Sequence, residues 1–420
     1  MKIGQFGESF IPVFDGVGRV MKAYAETMSA RGNEVYVIAP MYDAGYRGQY
    51  PYEIVDFISF KMSHKLPYRI GLKTFDRHFV TRMKQVNLDI CHVHGPAFAG
   101  NIGIHYAKRK GIPVVGSFHT KFYDDILEVT KMKSVAKVGA KMVADFYSHC
   151  DEVWAVSEGT GETLREYGYK GKVVVMPNGT NKRVLNVAKV PEVRSKYGIK
   201  NDKPMILFVG QINWKKNLKR VVESCGLLKQ QGVDFQLVMA GQGPDEKGVR
   251  DLAQKCGITQ NLTMTGHLQD FETLDCLYSM ADLFLFPSIY DNAPMVLREA
   301  AAQRTPGLVV EGSCAAEVIQ DGINGVLGKD TNESICEKIK QFLALPESEK
   351  SKMGGGSIRH HTYPMGRTSH GHHPRPISES HRHLQIQEKV KNPSRPISLS
   401  LFCFETSFHA GTFGYAQKRA

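Results

Sequence analysis

A chain of 420 residues, 42% hydrophobic and 23% charged, has the composition of a soluble globular protein and is too long for one ordinary core, so two domains are expected. Half of the formal charge of +12 lies after Gly355, where nine Lys and Arg face three Glu; the mildly basic body leaves no footprint of a nucleic-acid binder. No apolar run approaches the roughly 20 residues that cross a bilayer, the opening MKIGQFGESF lacks a signal-peptide core, and eight scattered cysteines without a CxxC pair read as buried thiols in a reducing cytoplasm.

Strand-like and helix-like patterns then alternate. The N-terminus reads as a first strand. GVGRVMKAYAETMSARG places Val17, Val20, Met21, Tyr24 and Met28 on one helical face and stops at Gly32. NEVYVIAP reads as a buried strand. DICHVHG follows, then a helix through IGIHYAKRKG, the strand IPVVGSFHT, and DEVWAVS leading into EGTGETLREYG. From about 182 to 203 the text is polar, without a long apolar stripe. The rhythm restarts with PMILFVG and a helix from Asn217, FQLVMAG and a helix from Asp245, NLTMTG and a helix from Glu272, LFLFPS and a helix from Pro294, then LVVEG. The fold class is α/β: two doubly wound, Rossmann-like parallel-sheet domains at 1–182 and 204–353, joined by a linker at 183–203. Ligands of such sheets bind beyond the carboxyl ends of the strands, so the interdomain cleft is the expected site. After Gly355 come eight of the sixteen His, with Pro and Arg and without periodicity. Residues 354–420 read as an atypical basic tail, disordered or translated out of frame. An irregularly spaced His tract is weak ground for a metal.

Four features lie where strand ends meet helix starts. In FDGVGRV, Gly16 and Gly18 allow an anion to approach the backbone, or make an ordinary tight turn. In FVGQINWKKNLKR, Lys215 and Lys216 beside helix-terminal amides suit a diphosphate, or are solvated loop lysines. In GSFHTKFYDD, His119 follows an apolar strand and projects into the cleft, or is a satisfied structural histidine. His92 and His94 share one strand face; a structural role fits His92, while His94 stays open. In FPSIYDNAPMVLREAAAQRTPG, Asp291 in the loop and Glu299 on the first or second helical turn can both face a ligand lying over that helix N-terminus, where carboxylates accept from sugar hydroxyls. The alternative is a dipole partner plus a core-edge Glu.

The ordered set FDGVGRV, FHT, AVSEGT, MPNGTN, FVGQ with KKN, AGQGP, GHLQD, FPSIYDNAPMVLREAAAQRTP and AAEVIQDGINGVL resembles the retaining glycosyltransferases of family 4, with the GT-B fold, from Met1 to about Met353. The resemblance implies that Gly16 meets the donor diphosphate, that His119 stands near the donor sugar, and that Lys216 binds the diphosphate. It places Glu299 on the ribose and Asp291 on the sugar hydroxyls, with His119, Asp291 and Lys216 as the catalytic set. The backbone of Asn292, Ala293, Pro294, Met295 and Val296 would lie against sugar and phosphate. Two positions depart from the family pattern. Gln211 stands where a phosphate-binding Arg is usual, and Asp291 where a Glu is usual. A third departure is the text after SKMG, which is not expected to build the family's final helix.

The implied reaction moves a hexose, with UDP-glucose the first choice, from a nucleotide-diphosphate sugar to an acceptor hydroxyl with retention. It needs no metal and no cofactor beyond the donor. FHTKFYDD resembles bacterial diacylglycerol glucosyltransferases, so the acceptor is a lipid or a glycan. Lys133, Lys137 and Lys141, spaced i, i+4, i+8 near Met132, Val135, Val138 and Met142, form either a basic amphipathic surface for anionic lipid or the solvated face of a core-packed helix. The expected setting is cytoplasmic, with peripheral contact at the inner membrane face. The other class of reading is a non-catalytic or inactive sugar-nucleotide-binding protein.

Overall fold

The computed structural model describes residues 1–10, 15–40, 50–63, 66–71, 76–179, 183–268 and 270–361. The first domain is built on β1 (Lys2–Phe6), β2 (Glu34–Pro40), β3 (Glu53–Phe57), the antiparallel pair β4 (Ser59–Ser63) and β5 (Leu66–Gly71), then β6 (Ile90–Val93), β7 (Val114–Phe118), β8 (Glu152–Ala155) and β9 (Val173–Val175). All but β4 and β5 form one parallel sheet in the order β3-β2-β1-β6-β7-β8-β9. The second domain holds β10 (Met205–Val209), β11 (Gln236–Ala240), β12 (Leu262–Gly266), β13 (Leu283–Leu285), β14 (Gly307–Val310) and β15 (Gly325–Gly328). They pair in parallel in the order β12-β11-β10-β13-β14-β15.

The central strands are buried on both faces, which is why they read as continuous apolar runs such as MILFV at β10. Strand order reverses beside β1 and beside β10. The loops leaving β1, β6, β10 and β13 therefore open at the switch points where such sheets hold ligands. Each sheet has its own hydrophobic cluster.

Two stretches depart from the sequence expectations. Part of the segment read as a linker is built into the second domain: a 3-10 turn (Val187–Lys189) leads into a helix (Val190–Tyr197) whose Val193, with Ile199 beyond it, sits in that core. Its Pro191 lies in the first turn and Gly198 closes it in the left-handed region, so local caps rather than an apolar stripe define it. At the other end, regular structure does not stop near residue 354. A helix runs Glu347–His361, through MGGG. A Cβ on Gly354 would stand 2.3 Å from the Arg304 carbonyl oxygen, and one on Gly356 2.6 Å from that of Ile323. Glycine costs helix propensity but here lets the helix lie against the second domain's backbone. The rest of the expected tail, 362–420, lies outside the described residues.

The helix Phe122–Thr130 and the helix Lys133–Ser148 form a hairpin after β7. Ala136, Ala140, Val143, Ala144, Phe146 and Tyr147 face inward. Val129, Met132, Val135, Val138 and Met142 are exposed, beside the exposed Lys131, Lys133, Lys137 and Lys141.

Candidate functional site

On the second domain, β13 runs out through Phe286 into a loop that turns at Pro294 and starts the helix Met295–Ala302. Among the described residues, no side chain caps this helix, which leaves its first amides as donors toward the cleft. Ala293, Pro294, Met295 and Val296 are half-buried around that turn. Glu299, on the second turn, is buried. Its Oε2 accepts from the Tyr278 hydroxyl at 3.3 Å, and its Oε1 lies 3.5 Å from Arg19 Nη1 and 4.0 Å from Arg183 Nη1. Arg183 also grips Asp275 through Nε (2.7 Å) and Nη2 (2.6 Å). Both guanidiniums lie over the Phe271 ring, at 5.5 and 4.9 Å. Burial, then the Glu299 charge, pushes the Tyr278 phenol well above its ordinary range, so it stays a donor.

Asp291 accepts from Lys216 Nζ through Oδ1 and from Ser288 Oγ (2.5 Å) through Oδ2; the lysine and the aspartate side chains are only 17% and 19% exposed. Lys216 arrives on a 3-10 turn (Trp214–Lys216) that Asn217 ends in the left-handed conformation, φ 58°. The Asn217 Nδ2 donates to the Pro287 carbonyl (3.1 Å) and to Asp330 (2.9 Å), tying the β10 loop to the β13 loop. Neighbouring backbone holds that loop from below: a Cβ on Gly241 would fall 1.8 Å from Gly210 O, and one on Gly243 2.2 Å from Ile212 O. Gln211 is exposed and accepts from Asn213 Nδ2 at 2.7 Å. Lys215 turns away to Asp125 (3.3 Å) and Glu128 on the hairpin, and the Tyr290 hydroxyl also donates to Asp125.

On the first domain, the helix Gly16–Ala30 begins at Gly16 itself, so Gly16 and Gly18 lie in its first turn rather than ahead of it. Asp15 caps it, accepting from Gly18 N (2.7 Å) and from Ser9 Oγ (2.5 Å). Among the described residues, a Cβ on Gly16 would meet nothing within 4 Å, so their packing does not explain the glycine. His119, half-buried at the end of β7, is 3.2 Å from His94 through its Nε2, and its carbonyl accepts from Asn292 Nδ2 at 2.7 Å. His94 Nε2 is 2.6 Å from Gln5 Oε1, and His92 Nε2 is 2.8 Å from Ser117 Oγ. Burial pushes His119 down to about 4, His92 to about 3 and His94 well below its usual value, so this histidine cluster is uncharged. Glu8, after β1, accepts from the Ala99 amide, and burial pushes it up to about 7.

The structure thus brings Lys216 to Asp291 and Asn292 to His119. Gly16 connects to the group through Arg19, which reaches Glu299. Arg19, Arg183, Asp275 and Tyr278 were missed. Arg19 carried a signal, a cation in the first turn of a helix where the dipole disfavours it. Asp275 and Tyr278 carried another, polar groups inside an apolar helix. Among the described residues, no group of three or more His, Cys, Asp or Glu is arranged to hold a metal ion, and no helix is long and apolar enough to cross a membrane.

The chain is similar to known proteins in sequence and in fold. Residues 14–183 match the family described as Glycosyltransferase Family 4, and residues 189–354 the one described as Glycosyl transferases group 1. Over 358 residues the chain is 24% identical to the alpha-monoglucosyldiacylglycerol synthase of Acholeplasma laidlawii, covering 83% of this chain and 89% of that protein. The alpha-monoglucosyldiacylglycerol synthase of Streptococcus pneumoniae is also 24% identical, with 83% and 79% covered. Among solved structures, Anabaena Alr3699/HepE in complex with UDP superposes with a TM-score of 0.68 at 14% identity, over 86% of this chain and 96% of that one. The sucrose-phosphate synthase of Thermosynechococcus elongatus gives 0.69 at 17% identity, over 86% and 93%. At these identities the superpositions establish the fold, two parallel-sheet domains of GT-B type.

Proposed function

Because the chain belongs to the glycosyltransferases of family 4, we propose that it moves a hexose from a nucleotide-diphosphate sugar, UDP-glucose first, to a lipid or glycan hydroxyl, keeping the anomeric configuration and using no metal. The observation that carries this reading is the meeting of the two cleft walls. A buried carboxylate on an uncapped helix, Glu299, and a lysine from the β10 loop, Lys216, stand on one domain, and a neutral histidine from the other is held to Asn292. Two relatives are alpha-monoglucosyldiacylglycerol synthases, which supports glucose and a diacylglycerol lipid, and HepE was solved in complex with UDP.

On this reading the ribose hydroxyls donate to Glu299 in place of the 3.5 Å Arg19 contact. The diphosphate lies against Lys216 and the free amides of Met295 and Val296. Charge develops there as the sugar–phosphate bond breaks, and fixed cations and dipoles stabilise it without reorganisation. Asp291 and His119 address the sugar hydroxyls. The acceptor hydroxyl attacks on the face the diphosphate leaves, and its proton goes to the departing phosphate oxygen. Retention follows, with no protein base.

The exposed face of the Phe122–Ser148 hairpin supports a lipid acceptor. Met142 is 68% and Val129 73% exposed, among four lysines that attract an anionic surface by about 1 kcal/mol each. The working place would then be the inner membrane face, as a peripheral protein.

Two measurements test the proposal. A thermal-shift panel of nucleotide sugars should show stabilisation by UDP-glucose, since a ligand that binds the folded state raises its stability by mass action. Incubation with UDP-glucose and diacylglycerol in anionic vesicles should yield an α-glucolipid by NMR of the anomeric proton. A β-product overturns retention. Stabilisation without transfer to any lipid or glycan acceptor would leave a sugar-nucleotide-binding protein.

A further inference from the structure

Behind His119 lies a buried polar line that the transfer mechanism does not use. Gln5, on β1, is fully buried and His94, just after β6, is 4% exposed. Two contacts join the line: Gln5 Oε1 to His94 Nε2 at 2.6 Å, and His94 Nδ1 to His119 Nε2 at 3.2 Å. The His94 and His119 planes are within 14° of parallel, yet their centroids are 5.5 Å apart, well beyond the N···N distance. The rings therefore meet edge to edge, with an N–H of one aimed along the lone pair of the other.

A neutral imidazole has one N–H and one lone pair, so the direction of the line is set at its far end. That end is the Gln5 amide, whose Nε2 faces the Met28 sulfur at 3.5 Å. A thioether sulfur accepts and cannot donate, so the amide NH2 belongs on the Met28 side and the carbonyl on the His94 side. His94 must then carry its proton on Nε2 and offer Nδ1 as a lone pair. His119, in turn, must donate from Nε2, which leaves its Nδ1 unprotonated. Burial, which keeps these rings neutral, agrees with the single-proton count.

We propose that Met28, Gln5 and His94 act as positioning residues that fix His119 in its Nε2–H tautomer, so that Nδ1 enters the cleft as a hydrogen-bond acceptor. This deepens the proposed transfer reaction and rests on it for the role of Nδ1, which accepts a hydroxyl of the sugar or of the attacking acceptor. The other tautomer would present a donor where an acceptor is needed.

The line makes the tautomer measurable without substrate. In the full chain labelled with 15N-histidine, long-range 1H–15N correlation separates the two tautomers, and the His119→Asn variant identifies the His119 signals by their loss. The expected result is Nε2–H. Met28→Leu keeps the shape of the core but removes the sulfur that orients the amide, so His119 should become a mixture of tautomers. Its kcat should fall by on the order of 10-fold, with UDP affinity unchanged. His94→Phe should release His119 altogether, and His94→Gln, which restores an acceptor, should recover the Nε2–H form. An Nδ1–H tautomer in the unmodified protein overturns the proposal, as does a His119 spectrum indifferent to both Met28→Leu and His94→Phe. If the spectrum is as expected but no sugar is transferred, the line stands and the transferase reading fails.

Discussion

The two walls of the cleft come from sheets of the same architecture but manage their titratable groups in opposite ways. The first domain keeps His92, His94 and His119 uncharged by burial and lifts Glu8 to about 7 by the same cause. The second keeps charges and matches them: Lys216 with Asp291, Arg183 with Asp275, and Glu299 with Arg19 reaching over from the opposite wall. A neutral wall suits hydroxyls, whose hydrogen bonds are directional and individually modest. A charged wall suits a diphosphate. The helix starts repeat the contrast: Asp15 closes the N-terminus at Gly16, while the N-terminus at Met295 is left without a side-chain cap.

If this division is right, damage to the charged wall should cost far more than damage to the neutral one. Glu299→Ala removes the acceptor for a ribose diol. Two charge-assisted hydrogen bonds are worth about 4 kcal/mol together, so kcat/KM with UDP-glucose should fall by roughly 10^3-fold. Wild-type-like turnover in that variant would break the assignment of the walls. Lys216→Ala should lower kcat by about 10^2-fold, with Lys216→Arg recovering part of it, as expected for a cation at the leaving group. Asp291→Glu keeps the charge pair and adds one methylene. It should change the ratio of kcat/KM between UDP-glucose and UDP-galactose by about 10-fold or less, measured with both donors in parallel.

The smallest effect belongs to the neutral wall and is read in stability. Glu8 contributes stability that is present below its unfolded value and lost as pH rises through about 7. The buried histidines do the reverse: their contribution is present above the unfolded value and lost as pH falls toward about 4. Between pH 7 and 5 the two oppose one another. Glu8→Gln removes the compensation, so its Tm should drop more steeply than wild type over that interval, by a few degrees in a thermal scan.

Much of this was legible in the sequence because the signals are local. Apolar runs followed by glycine mark β10 and β11, and the positions of Lys216, Asp291, Glu299 and His119 follow from strand ends meeting helix starts. What could not be read depends on remote partners. Arg19 and Glu299 are 280 positions apart, and nothing local says that a cation in one helix will reach the acid of another. Arg183 sits in text that looked like a polar linker, yet it holds Asp275, 92 positions on, in a bidentate pair. MGGG failed in the other direction: propensity argues for a break, but close backbone approach at Arg304 and Ile323 requires the glycines and carries the helix to His361.

Asp125 gears two surfaces to each other. It rides on the helix that begins the exposed hairpin proposed to meet lipid, and it holds Tyr290 and Lys215, the neighbours of Asp291 and Lys216 on the proposed donor wall. Thermodynamic reciprocity then applies. A membrane that favours the hairpin with these contacts made must tighten donor binding by some factor, and bound donor must tighten the hold on the membrane by the same factor. Affinity for vesicles with and without nucleotide sugar, in wild type and in Tyr290→Phe, reads that factor directly.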